Sequence, residues 1–242
     1  MADRSFAPVD VPDSVLARFK KLPVATIWSH VVRDAGVSLP FIEGLTLFTP
    51  GMERLAARAR TLRFLPPRPD LLSEVASGEH APEYVAMGRC GPGDVLVADQ
   101  QGYRYAGLAG DVKLLQLKMN NAEGLVTDGA IRDLSVIRDE GYDLIVYAQG
   151  RTAYGQQPWG EPAEENIDIQ CGGALVRPGD LIVGDEDGCV VVPSWFAEEC
   201  LEITAEHEDA EAWVKAKVQA EGVPPGKYYG PNLMENYRNR DA

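Results

Sequence analysis

The sequence predicts a single α/β domain on three observations: strand and helix alternate through its middle, one turn-and-strand motif occurs twice, and a long helix closes it. The repeated motif is PGDVLVADQQG at 92–102 and PGDLIVGDEDG at 178–188, which agree at Pro, Gly, Asp, Val, Asp and Gly. In each copy Pro-Gly-Asp sets a tight turn, a β-rich run follows, and an acidic residue with Gly closes it. Two copies are too few for a solenoid, so they read as equivalent strand starts, with Asp99 and Asp185 as strand-end turn residues.

The elements follow in chain order. Residues 9–36 read as two short helices, the first capped by Asp13 or Ser14, broken near Pro23 and stopped at Gly36. The alternation in LAARARTLRFL (55–65) suits a strand with one wet face, and a helical stretch restarts after Pro82. GLAGDVKLLQLKMNNA carries Leu108, Val112, Leu115 and Met119 at helical spacing. A short buried strand at 124–127 comes next, then a turn at Asp128-Gly129, the pair Arg132-Asp133, another helix and another strand. DGCVVVP is a strand stopped by Pro193, and the long closing helix starts with Ser194 as its N-cap. Residues 1–222 form the domain; 223–242, rich in Pro, Gly and Tyr, form an arm that packs on its own or a neighbouring subunit.

Composition narrows the function. The chain has 242 residues and a formal charge of −14, with no Lys/Arg run to receive a phosphate backbone, so no nucleic acid is expected. No stretch reaches the roughly eighteen apolar residues of a membrane span, and MADRSFAPVD shows no signal pattern, so no membrane partner and a cytoplasmic location are expected. Cys90, Cys171, Cys189 and Cys200 are widely spaced and read as buried reduced thiols. His30, His80 and His207 lack zinc-site spacing, and His207, on a charged helix, reads as a surface residue.

The segment Gly110–Asp133 carries the chemistry. Gly110 lets a ligand approach the backbone, and the first turn of the helix at Asp111, Val112 and Lys113 presents unpaired N–H groups to an anion. Twenty residues separate Asp111 from Arg132, enough for a helix to run out and a strand to return to the same end of the sheet. Arg132 offers a fixed fork for a carboxylate or an enolate oxygen, and Asp133 a hard oxygen for Mg²⁺ or Mn²⁺. The bland alternative is a surface ion pair after a strand, with Asp111 compensating a helix dipole.

The pattern Asp111-x20-Arg132-Asp133 within GLAGDVKLLQLKMNNAEGLVTDGAIRDL resembles the signature of the RraA-like family, which includes the 4-hydroxy-4-methyl-2-oxoglutarate/4-carboxy-4-hydroxy-2-oxoadipate aldolases and the regulators of ribonuclease E. The resemblance runs over about residues 20–220 and implies a swivelling β/β/α domain, assembled as a homotrimer or homohexamer with sites at subunit interfaces. It implies that Asp133 binds the metal, Arg132 contacts the pyruvoyl oxygen, and the amides of Asp111, Val112 and Lys113 receive the carboxylate of a small 2-oxo acid, with Asp111 organising the metal's waters. An acid from a neighbour's closing helix would complete the site, Glu208 or Glu211 here.

The implied activity is a class II pyruvate lyase with oxaloacetate decarboxylation as a side activity. The rival lysine Schiff base would need Lys113, Lys118 or Lys20, all in helical patterns where solvated or stem-packed lysines are the rule. Two non-aldolase readings stand beside it: a non-catalytic regulator acting through an acidic surface, and a dehydratase or isomerase passing through the same enolate. TIWSHVV at 26–32 and Gln149 depart from the family pattern and are candidates for reshaping specificity. Tyr154, Trp159, Tyr228 and Tyr229 either line the pocket or pack at an interface.

Overall fold

The structure is a computed structural model that describes residues 5–52 and 54–240. The first four residues, part of the start read for a signal pattern, and the last two of the arm lie outside the described residues. Helices α1 (Asp13–Phe19) and α2 (Val24–Arg33) lead into strands β1 (Phe41–Ile42), β2 (Thr46–Leu47) and β3 (Leu55–Leu65). Then come α3 (Pro69–Glu74), α4 (Pro82–Arg89), β4 (Asp94–Asp99), α5 (Asp111–Met119), β5 (Gly124–Ile131), α6 (Leu134–Asp139) and β6 (Ile145–Arg151). Strand β7 (Glu161–Glu165), the hairpin β8 (Ile169–Cys171) and β9 (Ala174–Val176), β10 (Leu181–Asp185), β11 (Gly188–Val192), α7 (Ala197–Glu221) and α8 (Leu233–Arg238) complete the chain.

Strands β3, β4, β5 and β6 lie side by side and parallel, each joined to the next by a crossover with a helix. The full order is β1-β11-β10-β3-β4-β5-β6-β2, with β7 also on β3. β1 and β2 form opposite edges, yet only Glu43, Gly44 and Leu45 lie between them. A chain of that length reaches on the order of 14 Å, so the sheet must curl until its edges nearly meet.

Side-chain alternation then sorts the core. One sheet face buries Leu62, Leu96, Leu125 and Val146 under α4, α5 and α6, and Ala56, Val183 and Val190 under α1, α2 and α7. The opposite face buries Leu55, Val97, Val126 and Tyr147 against the β8–β9 hairpin. This gives three layers, hairpin, sheet and helices, as the β/β/α expectation requires. The single wet face expected of β3 is not found. Arg58 and Arg60 share the helix-covered face with Leu62, because Arg58 donates to Asp94, Asp13, Val11 O and Pro92 O, and Arg60 pairs with Asp94. The polar period marks ion pairs rather than water.

The repeated motif is two equivalent turns. The Asp94 and Asp180 carboxylates each accept the amide three residues back, from Gly91 at 3.1 Å and Arg177 at 2.9 Å. Asp99 and Asp185 each accept the amide two residues on, from Gln101 at 3.0 Å and Asp187 at 2.9 Å. Gly93 and Gly179 adopt φ of 75° and 89°, open to glycine at little cost. The two copies flank β3, β4 parallel on one side and β10 antiparallel on the other.

Three boundaries differ from the sequence reading. α1 has Pro12 at its N-cap, with Asp13 inside the first turn. Ser194 opens a 3₁₀ turn ahead of α7, its hydroxyl accepting the Val9 amide. Asp128-Gly129 is no turn: β5 runs on to Ile131 through a register shift, and buried Asp128 is satisfied by Gln100 N, Gln170 Nε2 and Gly172 N.

Burial raises the Asp180 carboxyl from 3.8 to about 6, outweighing the two backbone N–H groups that favour its ionised form. A raised carboxyl supports the fold while protonated and loses that support as pH climbs through about 6. In urea unfolding between pH 4 and 7, Asp180→Asn should therefore gain on the wild type as pH rises, by up to about 3 kcal/mol. A pH-independent difference would remove Asp180 as the cause.

Candidate active site

The site forms because a loop completes the sheet. Beyond Ala98↔Thr127 the β4–β5 ladder stops, and residues 106–109 move in beside β5. Leu108 N donates to Ala130 O at 2.9 Å, Ala130 N to Ala106 O at 3.2 Å and Arg132 N to Ala109 O at 3.2 Å. Gly107 in turn lets the loop after β6 close over this segment, since a Cβ there would lie 2.5 Å from Tyr154 O. The ladder delivers the chain to Gly110, the N-cap of α5, beside the carboxyl end of β5. Ligands bind outside strand carboxyl ends in such sheets.

The α5 amides of Asp111, Val112 and Lys113 precede Leu114, whose N–H is bonded to Gly110 O at 3.0 Å. They line a cavity of about 120 Å³ together with Gly107, Arg132 and Gln156. Unpaired N–H groups and the positive end of the helix dipole are chemically suited to an anion. Arg132 follows β5, and its Nε lies 3.3 Å from Asp133 Oδ2. Asp133 adopts φ 57°, a left-handed conformation that Asp tolerates better than most residues. A Cβ at Gly110 would meet Asp133 Oδ2 and come 3.0 Å from Arg132 Nε, so a larger residue there would push these two side chains off the helix start. Asp133 thus lies against the helix start without itself lining the cavity.

The structure gathers Gly110, Asp111, Val112, Lys113, Arg132 and Asp133, but not Glu208 or Glu211. Those two sit on α7, where Glu208 accepts from Thr26 at 2.5 Å and Glu211 from Tyr229 at 3.1 Å. α7 packs over the α1/α2 half of the sheet, away from α5 and α6. Among the described residues no three His, Cys, Asp or Glu side chains converge as a ready metal cage. A Mg²⁺-type centre needs no cage; it takes one or two carboxylates and keeps several waters. Asp111 and Asp133, both at the start of α5, are the carboxylates that could hold such an ion.

The rival nucleophiles are occupied. Lys113 Nζ bonds Glu83 at 2.7 Å, Lys118 Nζ bonds Glu140 O at 2.9 Å, and Lys20 Nζ bonds Glu123 at 2.9 Å. All four cysteines are free and buried, and desolvation pushes the Cys90 and Cys200 thiols up to about 12.

Some sequence expectations need correction. His207 is no surface histidine: its Nδ1 lies 3.1 Å from Nε2 of buried His30, which also contacts Asp34 at 2.7 Å. Burial lowers the His30 pKa despite Asp34. TIWSHVV therefore fastens α2 to α7 rather than lining the cavity, and Gln149 reaches Glu43 O elsewhere. Tyr228 stacks edge-on against Trp213 of α7, so the tail packs back on its own helix. Tyr154 and Trp159 pack together, while their neighbours Gly155 and Gln156 form the cavity wall. No charge or spacing marks Gly155 and Gln156 in the sequence; the aromatics Tyr154 and Trp159 around them are the signal that points there.

Residues 34–191 match the RraA-like family described as aldolase/RraA. The chain belongs to the aldolase/RraA family. A Halalkalibacterium halodurans protein, provisionally assigned as a 4-hydroxy-4-methyl-2-oxoglutarate aldolase, is 38% identical over 129 residues, 53% of this chain. The match spans 60% of that relative's length. Streptomyces coelicolor RraAS2, of the RNase ES inhibitor RraA protein family, aligns with a TM-score of 0.75 at 28% identity over 86% of this chain and 98% of its own. An uncharacterized Pseudomonas syringae pv. tomato protein aligns with a TM-score of 0.76 at 21% identity over 94% and 98%, a likeness of fold. No helix among the described residues is long and apolar enough to cross a membrane.

Gly110→Ala should keep the native circular dichroism spectrum yet weaken calorimetric binding of oxalate, a compact carboxylate probe, by roughly tenfold or more, since a displacement near 1 Å is costly at such sites. Unchanged affinity would show that the close approach of Asp133 and Arg132 to the helix start has no part in binding.

Proposed function

We propose that the chain is a divalent-metal-dependent pyruvate lyase that cleaves a 4-hydroxy-2-oxo acid. One observation carries the reading: unpaired helix amides, an arginine fork and a hard carboxylate meet at Gly110, where a Cβ would displace the Asp133 and Arg132 side chains. An anion seat needs only the first; a lyase that develops an enolate needs all three. The provisional assignment of the Halalkalibacterium halodurans relative supports the same activity.

In this mechanism the substrate carboxylate accepts from the amides of Asp111, Val112 and Lys113, which holds the 2-oxo oxygen toward Arg132. Asp111 takes the 4-hydroxyl proton, directly or through a water. The C3–C4 bond breaks, its electron pair passes into the enolate, and an aldehyde or ketone leaves with the former hydroxyl oxygen. Arg132 stabilises the charge gathering on the 2-oxo oxygen, and protonation at C3 releases pyruvate. Mg²⁺ or Mn²⁺ held by Asp133, with Asp111 beside it, would supply Lewis acidity at that oxygen. Loss of CO₂ from oxaloacetate would use the same enolate. A homotrimer or homohexamer, with Glu208 or Glu211 of a neighbouring copy completing the acid set, belongs to the same proposal.

A second reading, a regulator that binds a protein partner, draws on the 28% identity to Streptomyces coelicolor RraAS2 and on the charge of −14. It gives no reason for Arg132 and Asp133 to crowd a bare helix start.

Oxaloacetate and a panel of 4-hydroxy-2-oxo acids, 4-hydroxy-4-methyl-2-oxoglutarate included, should release pyruvate only with Mg²⁺ or Mn²⁺ present. On the best substrate, Arg132→Ala and Asp133→Ala should each lower kcat/KM by roughly a hundredfold or more. Full activity in EDTA would overturn the metal's role, and stoichiometric capture of a protein partner with no turnover would favour the regulator.

A further inference from the structure

The small cavity at α5 is not closed. It adjoins a second cavity of about 510 Å³ that shares Lys113, Gly155 and Gln156 as lining residues. A substrate whose carboxylate sits on the α5 amides therefore extends its distal end past Gln156 into this second space. Its apolar lining comes from Leu72, Val75 and Ala81 of the α3–α4 segment, Tyr84, and Pro162 of β7, beside the polar Ser77 and Gln157. The character of these walls bears on the distal group.

Among the described residues, the basic side chains lining the two cavities are Arg132 and Lys113. Arg132 is committed to the pyruvoyl end. Lys113 Nζ is held at 2.7 Å by Glu83, whose side chain is only 10% exposed. Gln156 spends its amide on Gly160 O and Gln157 on Glu161. Two carboxylates, Glu83 and Glu161, themselves line the second cavity. A second anionic group arriving there would meet Glu161 and the carboxylate of the Glu83–Lys113 pair, with no uncommitted cation among this chain's described lining residues. A neutral group would pack on Leu72, Val75 and Tyr84 without that repulsion.

We infer that the distal group of the substrate is uncharged, so that the preferred 4-hydroxy-2-oxo acid is a monocarboxylate with an alkyl or other neutral end. The inference rests on the lyase reading for the direction in which substrate lies. It separates this chain from an enzyme for 4-hydroxy-4-methyl-2-oxoglutarate, whose leaving portion carries a carboxylate.

The test compares 4-hydroxy-5-methyl-2-oxohexanoate with 4-hydroxy-2-oxoglutarate, since an isopropyl group matches a carboxylate in size and differs in charge. With Mg²⁺ present, kcat/KM should favour the neutral-ended acid by roughly tenfold or more. Equal or better turnover of the dicarboxylate overturns the inference. If neither acid releases pyruvate, the lyase reading fails for both; binding of 5-methyl-2-oxohexanoate against 2-oxoglutarate by calorimetry then judges the inference separately. Tighter binding of the neutral-ended acid supports it; no preference, or no binding by either, overturns it. Glu83→Gln, which releases Lys113, should shift the kinetic or binding preference several-fold toward the dicarboxylate. Ser77→Arg, at an exposed point on the same wall, should shift it the same way and does not disturb a buried pair. An unchanged ratio in both variants overturns the role of wall charge.

Discussion

The rest of the site depends on the hydrogen-bonded ladder that residues 106–109 make with the carboxyl end of β5. Without it, β4 and β5 would part after Ala98↔Thr127, and the N-terminus of α5 would have no fixed relation to Arg132. With it, Arg132 N is tied to Ala109 O one residue before Gly110, so the helix start and the arginine share one piece of backbone geometry. On the other side, Thr152 N donates to Ile131 O, which fixes the loop bearing Gly155 and Gln156 against the same strand end. Backbone bonds place the chemical groups; side-chain packing under α4 to α6 holds the ladder dry.

That dependence explains what the sequence could reveal. Asp111 and Arg132-Asp133 were legible because a helix and a returning strand must bring both to one end of a parallel sheet. The twin Pro-Gly-Asp turns were legible for a similar reason: each hydrogen-bond pattern spans at most three residues and is written locally. The course of 106–109 was not legible, since strand-like pairing without strand-like composition leaves no period to detect. Asp128-Gly129 misled for the same cause. It has turn chemistry, but tertiary partners from 100 and 170–172 satisfy the aspartate inside a strand. His207 was also out of reach, because on an acidic helix it looks solvent-facing until α2 is laid on α7.

The two helix groups divide the labour of the fold. α1, α2 and α7 cover the antiparallel half of the sheet and tie the chain's beginning to its end, through Arg18–Glu202, Thr26–Glu208 and His30–His207. α4, α5 and α6 cover the parallel half and carry the candidate site. Charge follows the same division. Lys113 is neutralised by a glutamate on α4, so among the described residues lining the cavity Arg132, paired only with its neighbour Asp133, is the guanidinium at the helix start. A net charge of −14 is therefore compatible with the proposed anion seat, because local N–H groups and one guanidinium act at contact distance while the remote charges are screened by solvent.

Membership of a family that holds both an aldolase assignment and ribonuclease inhibitors leaves the frame neutral about function, so the weight falls on details the frame does not require. An N-cap can be filled by Ser, Thr, Asp or Asn, each of which would stabilise α5 by about 1 kcal/mol relative to alanine through a side-chain bond to its free amides. Gly110 forgoes that bond, and α5 starts with no side-chain cap. The vacated space is taken up by Arg132 and Asp133 instead. A surface evolved only to bind a partner has no need to leave three amides uncapped and then crowd them with an arginine and a carboxylate. A site that must receive a carboxylate and then stabilise charge next to it needs both.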